Sequence, residues 1–221
     1  LERNLRDIRR INALLGWTAF TSRAIIAWMR REPGRAWTLL DVASGSADIP
    51  IAIAHSARRA GIALEITATD RSPQITAIAR ERGAGVPNLR VETQDALALP
   101  YATGSFDIAL CTLALHHFDP EPACALLRSL ARVGRQVFVY DVVRSPLAYA
   151  GVVALTRIAG MSPMTRHDGA ASVRRAYSLA EARALAAAAG LRNIQAYVRF
   201  PYRLSLTADG VATAGGGTDA L

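Results

Sequence analysis

Between Thr38 and Val142 short apolar runs rich in branched residues alternate with longer amphipathic segments, and this alternation leaves few folds open to the chain. The runs "AWTLLDVA", "ALEITATD", "NLRVETQD", "SFDIALCTLAL" and "RQVFVYDVV" read as buried strands. The segments between them carry helix signals. Ser72 can cap the helix "SPQITAIARERG", with Pro73 at its first position, and Asp119-Pro120 opens "PEPACALLRSLARVG". Strand-helix alternation predicts a mainly parallel sheet with helices on both faces. Ligands of such sheets bind beyond the carboxyl ends of the strands, where the strand order reverses.

The flanks complete a Rossmann-like α/β single domain with a seven-stranded mixed sheet. Ahead of Pro33-Gly34, Leu5, Ile8, Ile11 and Leu15 recur at helical spacing, so residues 1–34 are expected to form an N-terminal helical cap of two helices. After Val143, "RSPLAYAGVVALTRIAG" looks helical, and "MSPMTRHDGAASVRRAY" looks like an ordered loop with a short helix. Ser178 to Glu181 form a capping box ahead of an alanine-rich helix. A closing strand pair is expected around Pro201. The ligand-binding domain is assigned to residues 35–207, and 208–221, small and polar, to a mobile tail.

The formal charge of +8 invites a nucleic-acid partner, but all 26 basic residues are arginine and they are scattered along the chain. That pattern is a solvated surface rather than a binding patch. Cys111 and Cys124 are too few for a disulfide framework, so both are expected to be reduced. No apolar stretch reaches the roughly 20 residues of a membrane span, and the charged start "LERNLRDIRRINALLG" lacks a signal-peptide centre. A cytoplasmic location is the expectation.

Asp41, Asp70 and Asp95 close the first three strands, so a parallel sheet brings all three carboxylates to one edge. The turn "ASGSAD" holds one glycine, Gly45; it has neither the G-x-G-x-x-G pattern that cradles a pyrophosphate nor a P-loop lysine. An acid-lined turn suits a cofactor with a cationic end and no phosphate. S-adenosylmethionine offers an ammonium, a sulfonium, a ribose diol and an adenine. Asp70 can accept both ribose hydroxyls, and Asp95 the adenine amine.

Taken in order, "LLDVASGSADIP", "ITATDRSP" and "TQDALALPYATGSFDIALCTLALHHF" resemble the successive motifs of class I S-adenosylmethionine-dependent methyltransferases, in particular the ubiquinone/menaquinone-methyltransferase-like group acting on small molecules. The resemblance covers roughly Thr38 to Val142. It implies that Asp41, Ala43, Ser44, Gly45 and Ser46 line the methionine side of the cofactor. Asp70 and Arg71 are implied at the ribose, Asp95 and Ala96 at the adenine, and the Leu113 backbone beside the amino-acid moiety. Where the family has glycine-cysteine-glycine-threonine-glycine, this chain has Ala43-Ser44-Gly45-Ser46-Ala47, whose small residues can keep the turn. Asp48, just ahead of a helix, reads as a helix N-cap or turn residue.

After strand four the chain has "LALHHFDP" rather than the Asn/Asp-Pro-Pro-aromatic motif of methyltransferases that act on base amines, which points to a small-molecule acceptor. Methyl transfer to a phenol benefits from a base, and histidine suits that task near neutral pH. His55 lies mid-helix on the scaffold. His116 and His117 follow strand four at the cofactor edge, and His167-Asp168 lies in the loop after strand five; these three are the candidate bases. Apolar segments around Trp17, Phe20 and Tyr149 supply a lid, with Arg144, Arg166, Arg174 and Arg175 placed to pair with an acidic or polyhydroxylated acceptor. The run "RSPLAY…TRHDGAASVRRAY" is similar to small bacterial methyltransferases found with polyketide pathways. The expected activity is O-methylation of a phenolic hydroxyl on a polyketide-like or aromatic metabolite. The alternatives are C-methylation of a quinol-type ring, RNA modification, or a cofactor binder without catalysis. No metal is expected, and a homodimer is compatible with the size.

Overall fold

The structure is a computed structural model and describes residues 2–210. Its centre is a seven-stranded sheet of order β3-β2-β1-β4-β5-β7-β6. The strands are β1 (Trp37–Val42), β2 (Leu64–Asp70), β3 (Leu89–Thr93), β4 (Phe106–Thr112), β5 (Gly134–Val142), β6 (Arg192–Arg199) and β7 (Arg203–Asp209). The first five pair in parallel, while β7 runs antiparallel to both β5 and β6. This is the Rossmann-like mixed sheet that the alternation predicts. Chain order reverses between β1 and β4, which sets the switch point where a ligand crevice opens.

Both sheet faces are covered, which is why β1 and β4 read as continuous apolar runs rather than alternating ones. On one face α5 (Pro120–Val133) and α8 (Leu179–Ala188) bury Leu126, Leu127, Leu130, Ala182 and Ala186 against β4, β5 and β7. On the other, α3 (Asp48–Arg59) packs with the second N-terminal helix, α2 (Trp17–Met29), around Trp37, Ile53 and Ile108. The N-terminal cap therefore divides in two. Helix α2 is part of the core, whereas α1 (Glu2–Leu14) sits against α7 (Pro163–Arg175) over the carboxyl edge.

Two expectations are revised. The segment "MSPMTRHDGAASVRRAY" is not a loop with a short helix: α7 runs through 13 of its residues. Ser162 caps it, its hydroxyl accepting from the Thr165 N–H at 3.2 Å with Pro163 in the first turn. His167 and Asp168 accordingly lie on a helix, not in a loop. Residues 208 and 209, assigned to the tail, belong to the sheet instead: Ala208 pairs with Val137 and Asp209 with Gln136 in β7. Residues 211–221 lie outside the described residues.

Gly134, the first residue of β5, packs tightly against β4. A Cβ there would lie 2.4 Å from the Ala109 Cβ and 2.8 Å from the Ala109 backbone N. Gly134→Ala is expected to destabilise the protein by about 1–3 kcal/mol, the usual cost of overfilling a packed interior. A denaturant midpoint equal to that of the unsubstituted chain would count against this packing.

Candidate active site

The turn after β1 is bound to the end of β2 through its backbone. The Ser44 N–H donates to the Thr69 carbonyl at 2.8 Å, and the Gly45 N–H to Asp70 Oδ2 at 3.1 Å. Asp70 Oδ1 accepts the Ser72 N–H at 3.0 Å. Ala43, Gly45 and Ala47 all hold left-handed backbone, at φ of 56, 56 and 60°. The two alanines thus take the conformation that glycine adopts most easily, at a cost of about 1–2 kcal/mol each, and Ser46 is buried. Asp41 is 2% exposed and its Oδ1 has no hydrogen-bond partner. Burial, and next the neighbouring Asp48 and Asp70 carboxylates, push its pKa well above the ordinary aspartate range.

Farther along the same edge, the Gln94 N–H donates to the Asp70 carbonyl, tying the end of β3 to that of β2. Asp95 is exposed, and its Oδ1 accepts the Leu97 N–H at 2.9 Å, the turn role open to any aspartate. Ala96 beside it is buried, whereas Arg71 is exposed. Asp48 is not the cap of α3, a position that Ala47 takes, but lies in its first turn and accepts from Asn12 Nδ2 of α1 at 3.3 Å. Leu113, past the end of β4, has φ 56° and donates its N–H to the Tyr140 carbonyl at 2.8 Å.

A cavity of about 330 Å³ opens beside Leu113, between the sheet edge and helices α1 and α7. Its walls are mainly apolar, from Ile8, Ile11, Trp17 and Val142 among others. His116 and His117, in a 3₁₀ turn over Leu115–His117, face it. His116 is buried, and its Nδ1 lies 2.6 Å from Oδ1 of the equally buried Asp141 at the end of β5. Asp141 Oδ2 accepts the His116 N–H at 3.0 Å, and Oδ1 the Val142 N–H at 2.7 Å. A carboxylate is acceptor-only, so this pairing places an imidazole proton on Nδ1, and in the neutral ring the lone pair is then on Nε2. The His117 ring lies against that of His116, centroids 4.1 Å apart. Desolvation, and then His116, lower the His117 pKa below the usual imidazole value. His167 is exposed and does not line the cavity, whereas Asp168 does. His55 sits in α3, away from the edge.

A family model described as "Methyltransferase domain" matches residues 39–136. Among curated proteins, the chain is 37% identical over 104 residues to a demethylmenaquinone methyltransferase of Deinococcus radiodurans, covering 47% of this chain and 39% of that one. It is 33% identical over 144 residues to a ubiquinone biosynthesis O-methyltransferase of Xanthomonas axonopodis pv. citri, covering 62% and 56%. Over the matched region, residues 39–136, the chain is a class I S-adenosylmethionine-dependent methyltransferase domain. It spans about half the length of the curated relatives it matches. Its fold is also that of the magnesium protoporphyrin IX methyltransferase of Synechocystis PCC 6803, solved with bound S-adenosylhomocysteine (TM-score 0.59, 20% identity, covering 86% of this chain and 82% of that one).

S-adenosylmethionine is the methyl donor of this family, and the groups at this sheet edge fit it. A buried carboxylate oxygen with no partner suits a cation such as the cofactor's ammonium. The site also holds a residue that the sequence did not single out. Asp141 ends β5 as Asp41 ends β1, so an acid at a strand end was the available signal. What hid it is the 25-residue separation from His116, bridged only because β4 and β5 are neighbours.

Helix α1 is fastened over the cavity by a small polar latch. Asp7 Oδ2 accepts the Ser162 N–H at 3.2 Å and the Thr165 hydroxyl at 3.1 Å. The Ser162 bond, set against an opposing effect of burial, holds the Asp7 pKa below the usual carboxylate value. A depressed folded pKa means that the latch is fully formed above the ordinary aspartate pKa and is lost as pH falls through the lower folded value. Asp7→Ala is expected to speed tryptic cleavage within α1 several-fold at neutral pH, since local opening governs cutting there. Unchanged cleavage would show that the latch does not hold the helix.

Proposed function

We propose that this chain methylates a ring hydroxyl of a small aromatic acceptor held in the apolar cavity, with His116 as the general base. The observation that carries this is the buried His116–Asp141 pair on the wall of that cavity, beside the turn that suits the cofactor. When bound, S-adenosylmethionine supplies an electrophilic methyl group whose leaving group is a neutral thioether. Asp41 is assigned to the cofactor ammonium, Asp70 to the ribose diol, Asp95 and Ala96 to the adenine, and the Leu113 backbone to the amino-acid end. Asp141 holds His116 in one tautomer and stabilises the imidazolium formed when Nε2 takes the phenolic proton. The apolar walls exclude water from the reacting pair, and orientation of the ring supplies the larger share of the barrier reduction. Likeness to an O-methyltransferase of ubiquinone biosynthesis and to a demethylmenaquinone methyltransferase supports a ring acceptor.

Methylation of a quinol-type ring carbon is the second reading, favoured by the demethylmenaquinone methyltransferases among the relatives. Incubation with labelled S-adenosylmethionine and a neutral catechol or quinol, with product analysis, separates the two. A methyl ether is the expected product, and a ring-methylated product would establish the second reading. Binding of S-adenosylhomocysteine without methylation of any such acceptor would refute both.

A further inference from the structure

Three of the four arginines that the segments after β5 bring towards the site are engaged elsewhere. Arg144 Nη2 donates to Glu181 Oε1 at 2.5 Å, Arg166 Nε donates to the Met161 carbonyl at 2.9 Å, and the Arg174 guanidinium lies 5.6 Å from the centroid of the Tyr149 ring. Arg175, the last residue of α7, makes no ion pair, side-chain hydrogen bond or aromatic stack among the described residues. Yet it lines the apolar cavity, and it also lines a second one of about 480 Å³ with Arg144 and Arg174. The two cavities share His116 and His117. An apolar slot suited to a flat ring therefore opens, past the imidazole pair, onto a guanidinium whose donors are uncommitted.

The opposing charges are accounted for. Glu181 is bound by Arg144 and by the Ser178 N–H. Asp119 lines the second cavity, and Asp168 the first, two helical turns before Arg175 and outside ion-pair distance of it. With Glu181 offset by Arg144, Arg174 and Arg175 outweigh Asp119 in the second cavity. A planar guanidinium with a free fork matches a carboxylate in two parallel hydrogen bonds, and Arg175, itself exposed, offers that fork at the mouth of the apolar cavity.

We infer that Arg175 selects acceptors that carry a carboxylate on the aromatic ring: the acid faces Arg175 while the ring hydroxyl faces His116. This rests on the proposed methylation of a ring acceptor and narrows its substrate class to hydroxylated aromatic acids. Sequence alone places four arginines near the lid; the structure distinguishes the one that reaches the cavity without a partner.

The test uses a matched pair, 3,4-dihydroxybenzoate and 3,4-dihydroxybenzamide, titrated calorimetrically into the S-adenosylhomocysteine-loaded protein. The acid is expected to bind at least about 10-fold more tightly than the amide, the range of a charge-assisted hydrogen bond. Arg175→Gln should collapse that ratio to near unity, Arg175→Lys should restore part of it, and Arg166→Gln should keep it. In turnover the loss should fall on KM for the acid rather than on kcat. Equal binding of acid and amide, a ratio that survives Arg175→Gln, or no binding of either compound would each overturn the inference. Methylation of the neutral catechol alongside any of those results leaves the ring-hydroxyl activity standing. Failure of S-adenosylhomocysteine itself to bind would remove both.

Discussion

His116→Ala is expected to lower methyl transfer to a phenolic acceptor by about 10²–10⁴-fold, the usual contribution of a positioned base, while S-adenosylhomocysteine still binds. Asp141→Asn is the sharper variant. Asparagine with its oxygen kept on the His116 N–H presents its amide N–H to Nδ1 in place of Oδ1 and so turns the imidazole proton to Nε2, at the loss of the Val142 N–H bond. The base is then blunted without being removed, and a loss approaching that of His116→Ala is expected. The two losses should not add, because the residues act as one unit. Single-turnover rates with a saturating acceptor read this directly. His117→Ala should cost far less, since its ring leans on His116 and has no carboxylate to orient it. If all three variants turn over near normally, alignment alone drives the transfer and no base is needed.

The second large effect concerns Asp41. Its folded-state pKa lies well above the ordinary aspartate value because burial and two nearby carboxylates disfavour its charge. For an acid with a raised folded pKa, the stability contribution is fully present below the unfolded value and declines as pH rises through the folded one. The cofactor-free protein therefore carries a penalty at Asp41 as the pH rises, and a bound ammonium offsets it. Asp41→Asn should leave the cofactor-free melting temperature equal or higher at about pH 8. The same substitution should weaken S-adenosylhomocysteine by roughly 100-fold, since a buried charge pair broken on one side costs about 3–5 kcal/mol at most. Melting curves with and without S-adenosylhomocysteine, from about pH 5 to pH 8, make the comparison. A ligand-induced shift in Asp41→Asn equal to that of the unsubstituted chain would show that the ammonium binds elsewhere.

The parts of this protein that were legible from residues alone are those governed by short-range rules. Ser72-Pro73 opens α4 (Pro73–Gly83) as its capping chemistry requires, and Ser178 with Glu181 forms the reciprocal capping box. The same logic was available at Ser162-Pro163, but α7 buries only Thr165 and Val173 among its 13 residues, so no apolar stripe marked it as a helix. Its lone glycine, Gly169, looks like a break; in the structure a Cβ there would lie 3.2 Å from Val152 of α6 (Pro146–Ile158), so the gap is filled by close helix packing.

By itself, the sequence determined the parallel sheet and the acids at its carboxyl edge, because period, capping and strand-end position are local properties. Only the tertiary structure decided which histidine meets a carboxylate and which arginine reaches the cavity unpaired. His116 and Asp141 are joined because β4 and β5 pair in parallel and end at the same edge. Arg175 is set apart because the folding of α6, α7 and α8 gives each of its neighbours a partner. Such pairings depend on which strands and helices become neighbours, and no spacing along a single chain encodes that.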